Sequence, residues 1–235
     1  YVSPNDRVHA QSITDDTLYS QEWWATDIGM FGVWDTVTST AEVPVAVIDS
    51  GVQADHEDLA GQVDVGLSHD WIGSTGGITD PSGHGTKVAG VIAAVPNNKL
   101  GILGLAPHAK IISLRILDQN NSGTVADAVA AIDYAASHGA KIINNSWGFA
   151  QRSDAIDSAI ARAKAAGVLV VSAAGEAGTP SENGQNLNAY NFVPGTSPGE
   201  NTITVAAESK THTIPLWSNY GNAVVDIAAP GVDIW

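Results

Sequence analysis

Val43-Pro44-Val45-Ala46-Val47-Ile48-Asp49-Ser50-Gly51 is a run of apolar, mostly β-branched residues that stops at an aspartate, a serine and a glycine. Apolar residues at nearly every position, rather than at alternate ones, mark a strand covered on both faces, as in a parallel sheet. Such a strand ends in a carboxylate only where the charge meets solvent or a partner, because an unpaired buried charge is costly. In open α/β sheets the carboxyl ends of the strands line the crevice where chemistry takes place. Asp49 is therefore placed as a functional acid would be, although Asp and Gly are also ordinary turn formers.

A second stretch sharpens that reading. Asp80-Pro81-Ser82-Gly83-His84-Gly85-Thr86 leads into Lys87–Val95, a segment of small and apolar residues suited to a closely packed, buried helix. Glycines on both sides of His84 let other backbone come close to the imidazole. A carboxylate at a strand end and a histidine at a helix start can form an orienting pair. The acid holds the tautomer and stabilises the imidazolium, and the imidazole acts as general base.

Elsewhere strands and helices alternate. Lys110–Asp118 reads as a strand, and Val125–Ser137 as a helix with Val125, Val129, Ile132 and Ala136 on one face. Lys141–Asn145 is a strand, Asp154–Ala166 a helix closed by Gly167, and Val168–Ala174 a buried strand. Glu182–Glu200 is a loop rich in Asn, Gly and Pro; Thr202–Glu208 and Ala223–Ala228 are further strands, and Val63–Trp71 is a strand or loop. This alternation predicts an α/β fold, a mainly parallel central sheet with helices on both faces. Residues 1–42 read as an amino-terminal arm with a short helix near Gly29–Thr36, joined to one domain over 43–235.

With 235 residues and 44% hydrophobic content the chain can bury one sizeable core. A formal charge of −15 argues against nucleic acid, whose phosphates call for Lys and Arg. No apolar run approaches membrane-spanning length. The absence of cysteine excludes disulfides and thiol catalysis. No Gly-x-Gly-x-x-Gly follows a strand and opens a helix, which speaks against a dinucleotide binder.

Taken in order, Asp49-Ser50-Gly51, His84-Gly85-Thr86, Asn145-Ser146-Trp147-Gly148, Ala173-Ala174-Gly175 and Ala229-Pro230-Gly231 resemble the subtilisin-like serine proteases. The likeness runs from about Val43 onward, and Ser3-Pro4-Asn5-Asp6 is similar to the mature start of the thermitase-like branch. It implies a subtilisin-like fold and a secreted serine endopeptidase using an Asp-His-Ser triad, with Asp49 as the acid and His84 as the base. By the same resemblance, Ser122-Gly123-Thr124 and Ser146-Trp147-Gly148 are the edges between which an extended peptide binds, and Ala173-Ala174-Gly175 walls the primary pocket.

Two departures stand out. The family's nucleophile follows the strand ending in Ala-Pro-Gly, in a segment that Val232–Trp235 does not contain. Gly195-Thr196-Ser197-Pro198-Gly199 imitates a nucleophile elbow but lies between a loop and a strand, the wrong context for one. A second chain or a nicked remainder carrying the serine is therefore expected, with a propeptide or inhibitor as a further possible partner. Secondly, Glu176 stands where the family has an asparagine that donates to the oxyanion. An ionised carboxylate only accepts and repels developing negative charge, whereas a protonated one can donate, as an aspartic acid does in the sedolisin relatives at acidic pH. Three readings stay open: an inactivating change, an acid-adapted enzyme, or a protein with another use for the site; the competing function is a non-catalytic pseudoprotease acting as a binding or regulatory module.

Calcium is the ion the resemblance implies. Its ligands would be Asp6, Asp58, the Asn98 side chain and the carbonyls of Val95, Leu100 and Ile102, with Pro96 an insertion in that turn. A carboxylate, an amide and backbone oxygens suit a hard ion of flexible geometry.

Overall fold

The structure is a computed structural model that describes residues 14–37, 41–73, 75–177 and 181–234. The opening strand, β1 (Val43–Asp49), is an interior strand of an all-parallel sheet. On one side it pairs with β3 (Ala109–Arg115), with β2 (His69–Asp70) beyond; on the other lie β4 (Ile142–Asn145), β5 (Leu169–Ala173), β6 (Thr202–Glu208) and β7 (Ile227–Pro230) in that order. Asp49 stands opposite Arg115 on β3, and Ile48 opposite Asn145 on β4.

The two faces of β1 explain its unbroken apolar run. Val45 and Val47 pack with Ala89 and Ala93 of helix α3 (His84–Ala93). Ala46 and Ile48 join the cluster under α4 (Val125–Ser137) and α5 (Asp154–Ala165), with Ala131, Ile132 and Ile160. Thr124 caps α4 by accepting from the Asp127 amide at 3.1 Å, and Ser153 caps α5 by accepting from the Ile156 amide at 3.3 Å. The chain leaves β1 toward β3 and then crosses back to β4, so the order reverses at β1. Asp49 thus closes its strand at the point where an open sheet forms its crevice.

Some boundaries differ from the sequence reading. The strand expected to run to Asp118 stops at Arg115, because the amides of Ile116 and Leu117 both turn to the Asp49 carbonyl, at 2.8 and 3.1 Å. The strand expected at Ala223–Ala228 begins at Ile227. Val224 and Val225 donate back to the Gly221 carbonyl in a turn, and pack against Ala174, Leu187 and Ala206. Val63–Trp71 contributes the two-residue β2 and one bridge from Val63 to Ile111. At the amino-terminal side, α2 (Met30–Thr36) agrees with the expected helix; α1 (Trp23–Asp27) before it does not appear in the sequence reading. Together they bury Trp24, Ala25 and Met30 against Leu103. The arm expected over the first residues lies outside the described residues up to position 13.

Candidate active site

Asp49 is fully buried, and its Oδ1 lies 2.7 Å from Nδ1 of His84, the first residue of α3. The same oxygen accepts from the Ser50 amide at 2.7 Å. The approach depends on two glycines. A Cβ on Gly85 would sit 2.1 Å from the Gly51 carbonyl oxygen, and one on Gly51, at φ +104°, 2.1 Å from the Thr79 carbonyl oxygen. A Cβ that close to a backbone oxygen cannot be accommodated, so α3 reaches the end of β1 only because both positions are glycine.

Asp80, which sequence reasoning passed over, holds this corner together. Its carboxylate accepts from the Gly83 amide (2.9 Å) and from the Thr86 amide (2.8 Å) and hydroxyl (2.7 Å). The Ser50 hydroxyl lies 2.8 Å from Asp80 and 3.1 Å from Asp49, and accepts from the Gly85 amide at 3.0 Å. Burial pushes the Asp80 carboxyl up, but the bonds from Thr86, Ser50 and Gly83 outweigh it and hold the carboxyl below its ordinary range. Its signal in the sequence was an acid three residues before Gly83 in a Pro-Ser-Gly turn.

The hydrogen bond that His84 makes to Asp49 raises its pKa; burial opposes the shift, and the charges of Asp49 and Asp80 add to it. With Nδ1 committed to Asp49, Nε2 has no protein partner among the described residues, and the side chain is 41% exposed at the cleft. That geometry suits a base that takes a proton from a group entering the cleft.

The cleft has a volume of about 510 Å³. Ser146, Trp147 and Gly148, at the end of β4, line it together with His84. Trp147 also packs against the main core, so it serves both the fold and the wall. Ala173 and Gly175 face the cleft, but Ala174 does not: residues alternate across an extended segment, and Ala174 is fully buried with Leu187 and Ala206 on the other side. Ser122, Gly123 and Thr124 are exposed in the turn before α4 and do not line the cleft; Leu117 and Asn121 do. A Cβ on Gly123 would lie 2.2 Å from the Ile116 carbonyl oxygen, so this segment runs close against the exit of β3. Glu176 lines the cleft, is exposed and forms an isolated antiparallel bridge with Ser218. Ser197 is buried in a turn, with its amide bonded to the Pro194 carbonyl at 2.9 Å; it is not a cleft residue.

A family model described as the subtilase family matches residues 40–234. The chain belongs to the subtilase family. It is 37% identical to a thermophilic serine proteinase of Bacillus sp. (strain AK1), over all of this chain and 55% of that protein. Against thermitase of Thermoactinomyces vulgaris the identity is 38%, over 84% of this chain and 66% of the other. A solved cold adapted subtilisin-like serine proteinase superposes with a TM-score of 0.68 at 30% identity, covering 82% of this chain and 64% of that one. This subtilase chain therefore spans between just over half and two thirds of the length of these relatives. Among its described residues no helix is long and apolar enough to cross a membrane.

The calcium ligands implied by the sequence fall at one place, apart from Asp6, which lies outside the described residues. Asp58 is buried and accepts from the Asn98 side-chain amide at 2.8 Å and the Ile102 backbone amide at 2.9 Å. A Cβ on Gly101 would meet the Asp58 carboxylate at 2.1 Å, so the turn is folded tightly around it. Val95, just before Pro96, donates its amide to the Asp58 carbonyl at 2.9 Å. Asp16 and Glu22 are buried beside the same loop, accepting from the amides of Asn97 and Asn98 and of Leu103. Burial, helped by the charges of Asp16 and Asp58 and opposed by the Leu103 hydrogen bond, lifts the Glu22 carboxyl to about 7. Among the described residues these buried carboxyl groups have no basic partner, and such oxygen donors fit a hard cation.

Proposed function

We propose that the chain supplies the acid, the base and much of the cleft of a secreted serine endopeptidase. The 2.7 Å contact between buried Asp49 and the cleft-facing His84 carries the reading. A serine hydroxyl brought to Nε2 loses its proton to His84 as it attacks a peptide carbonyl; the proton then passes to the leaving amine, and water repeats the cycle on the acyl-enzyme. Asp49 keeps the proton on Nδ1 and stabilises the imidazolium. Among the described residues none is assigned as that serine. An extended peptide would lie along the backbone of Ser146–Gly148, with Leu117 and Asn121 also in the wall of the cleft and Ala173 and Gly175 beside its side chain. Asp58, Asn98 and the carbonyls of Val95, Leu100 and Ile102 would hold calcium, with Asp6 completing the set. The ion would neutralise buried charge and tie the arm to the domain.

Glu176 supports the second reading, a pseudoprotease, because an acceptor-only side chain at the oxyanion works against catalysis. Peptide hydrolysis, assayed where the nucleophilic serine is also supplied, separates the two. On the endopeptidase reading His84→Ala abolishes turnover, and Glu176→Asn raises it at neutral pH by up to roughly 10²–10³. Hydrolysis that survives His84→Ala would remove the assignment of the base. A protein inert both as wild type and as Glu176→Asn would favour the pseudoprotease.

A further inference from the structure

The two glycines that flank the side-chain pocket, Gly148 and Gly175, share one neighbour. A Cβ on Gly148 would lie 2.3 Å from Cε1 of Phe192 and 2.6 Å from Cζ; a Cβ on Gly175 would lie 2.5 Å from both atoms. The edge of the Phe192 ring is therefore inserted between the two backbones that a bound peptide's side chain would have to enter. The backbone of Phe192 is held in place. Its amide donates to the Thr196 hydroxyl at 3.1 Å, its carbonyl accepts from the Thr196 amide at 2.8 Å, and the next residue, Val193, exchanges two 3.0 Å bonds with Phe149. Behind the ring is a second cavity of about 300 Å³, with Leu187, Tyr190 and Asn219 in its wall. Phe192 and Glu176 line both spaces, so the ring is a partition between them.

We propose that Phe192 sets the size limit of the side-chain pocket. With the ring in place the subtilase accepts Gly, Ala or Ser at the peptide residue seated between Gly148 and Gly175. Without it the cleft and the second cavity merge, and aromatic or long aliphatic side chains enter. The physical basis is close packing: an occupied space of one ring leaves no room for a second without displacing it, and overpacking is penalised as cavities are. This inference rests on the peptidase reading.

The test uses this chain and fluorescent extended peptides of Ala and Ser, alone or with a single Phe moved along the sequence. Anisotropy titrations compare the wild type with Phe192→Ala and with the milder Phe192→Leu, each shown by its melting curve to be folded. The wild type should bind no Phe peptide more tightly than the all-small peptide. Phe192→Ala should bind one Phe register roughly 10-fold more tightly than the wild type does, while the all-small peptide changes little. Phe192→Leu should shift the same way by less, and it decides the matter if Phe192→Ala does not fold. Peptide binding that ignores residue 192 in the folded variants overturns the inference and leaves the peptidase reading standing. No binding of any peptide by any form overturns both.

Discussion

Whether His84 can take a proton at neutral pH depends on Asp49. The carboxylate sits at hydrogen-bond distance from Nδ1 and raises the pKa of the imidazole above its ordinary value of about 6.5. A base must be neutral to act, so the acid limb of kcat/KM for the complete enzyme should lie above pH ~6.5. Asp49→Asn removes the first and largest cause of the shift. In that variant the His84 titration, followed by NMR on this chain, should move to lower pH, and turnover of the complete enzyme should fall by about 10⁴ through loss of the correct tautomer. An unmoved titration would mean that the pair is not formed in solution. The same linkage has a sign for stability. A raised folded-state pKa stabilises fully below pH ~6.5 and less as the pH rises through the raised value. Because His84 is 41% exposed, this contribution is screened and small.

Helix α3 carries the base to the acid, and it can do so only without a side chain at Gly85. The Gly51 carbonyl that a Cβ would strike is backbone fixed at the end of β1, so the helix, not the obstacle, must move. Gly85→Ala should cost about 1–3 kcal/mol in stability as overpacking and break the 2.7 Å contact. The His84 titration should then fall toward that of Asp49→Asn. Gly90→Ala is the control on the same helix: its Cβ would meet only the Cδ1 of Ile102, at 3.4 Å, a movable side-chain end. Helix propensity favours that change by up to ~1 kcal/mol. Equal melting temperatures for the two variants would refute the account of α3 docking.

Across the molecule, the acidic composition concentrates a cost in one region. Asp16, Glu22 and Asp58 are each buried around the loop that runs from Val95 to Leu103, and a cation there would offset their mutual repulsion. Calcium should therefore raise the melting temperature, by mass action worth about 2.7 kcal/mol when its free concentration is 100 times Kd. Chelator should reverse the gain, and Asp58→Asn should make the protein indifferent to both. A melting curve unchanged by chelator in the wild type would argue against an ion at this loop.

The parallel sheet, the covering of β1 on both faces, and the pairing of a strand-end Asp49 with a helix-start His84 were legible in the chain because each is dictated locally. An apolar run without alternation has to be covered on both faces, a terminal carboxylate has to find a partner, and a glycine-flanked histidine marks close backbone approach. Repeated strand and helix segments then leave few ways to connect them. Folded geometry decided the rest, because it depends on residues distant in sequence. Asp80 acquires its role from Ser50 and Thr86, and Ala174 leaves the pocket through the alternation of its strand. The strand β3 ends where Asp49 offers a carbonyl to Ile116 and Leu117, and Val224 and Val225 form a turn against Ala174 and Leu187. Phe192 gave no sign in a loop rich in Asn, Gly and Pro. Its position between Gly148 and Gly175 arises when three segments, separated by 27 and 17 positions along the chain, meet at the carboxyl end of the sheet. Local patterns report the period and the ends of elements, whereas the filling of a pocket is a property of packing among elements.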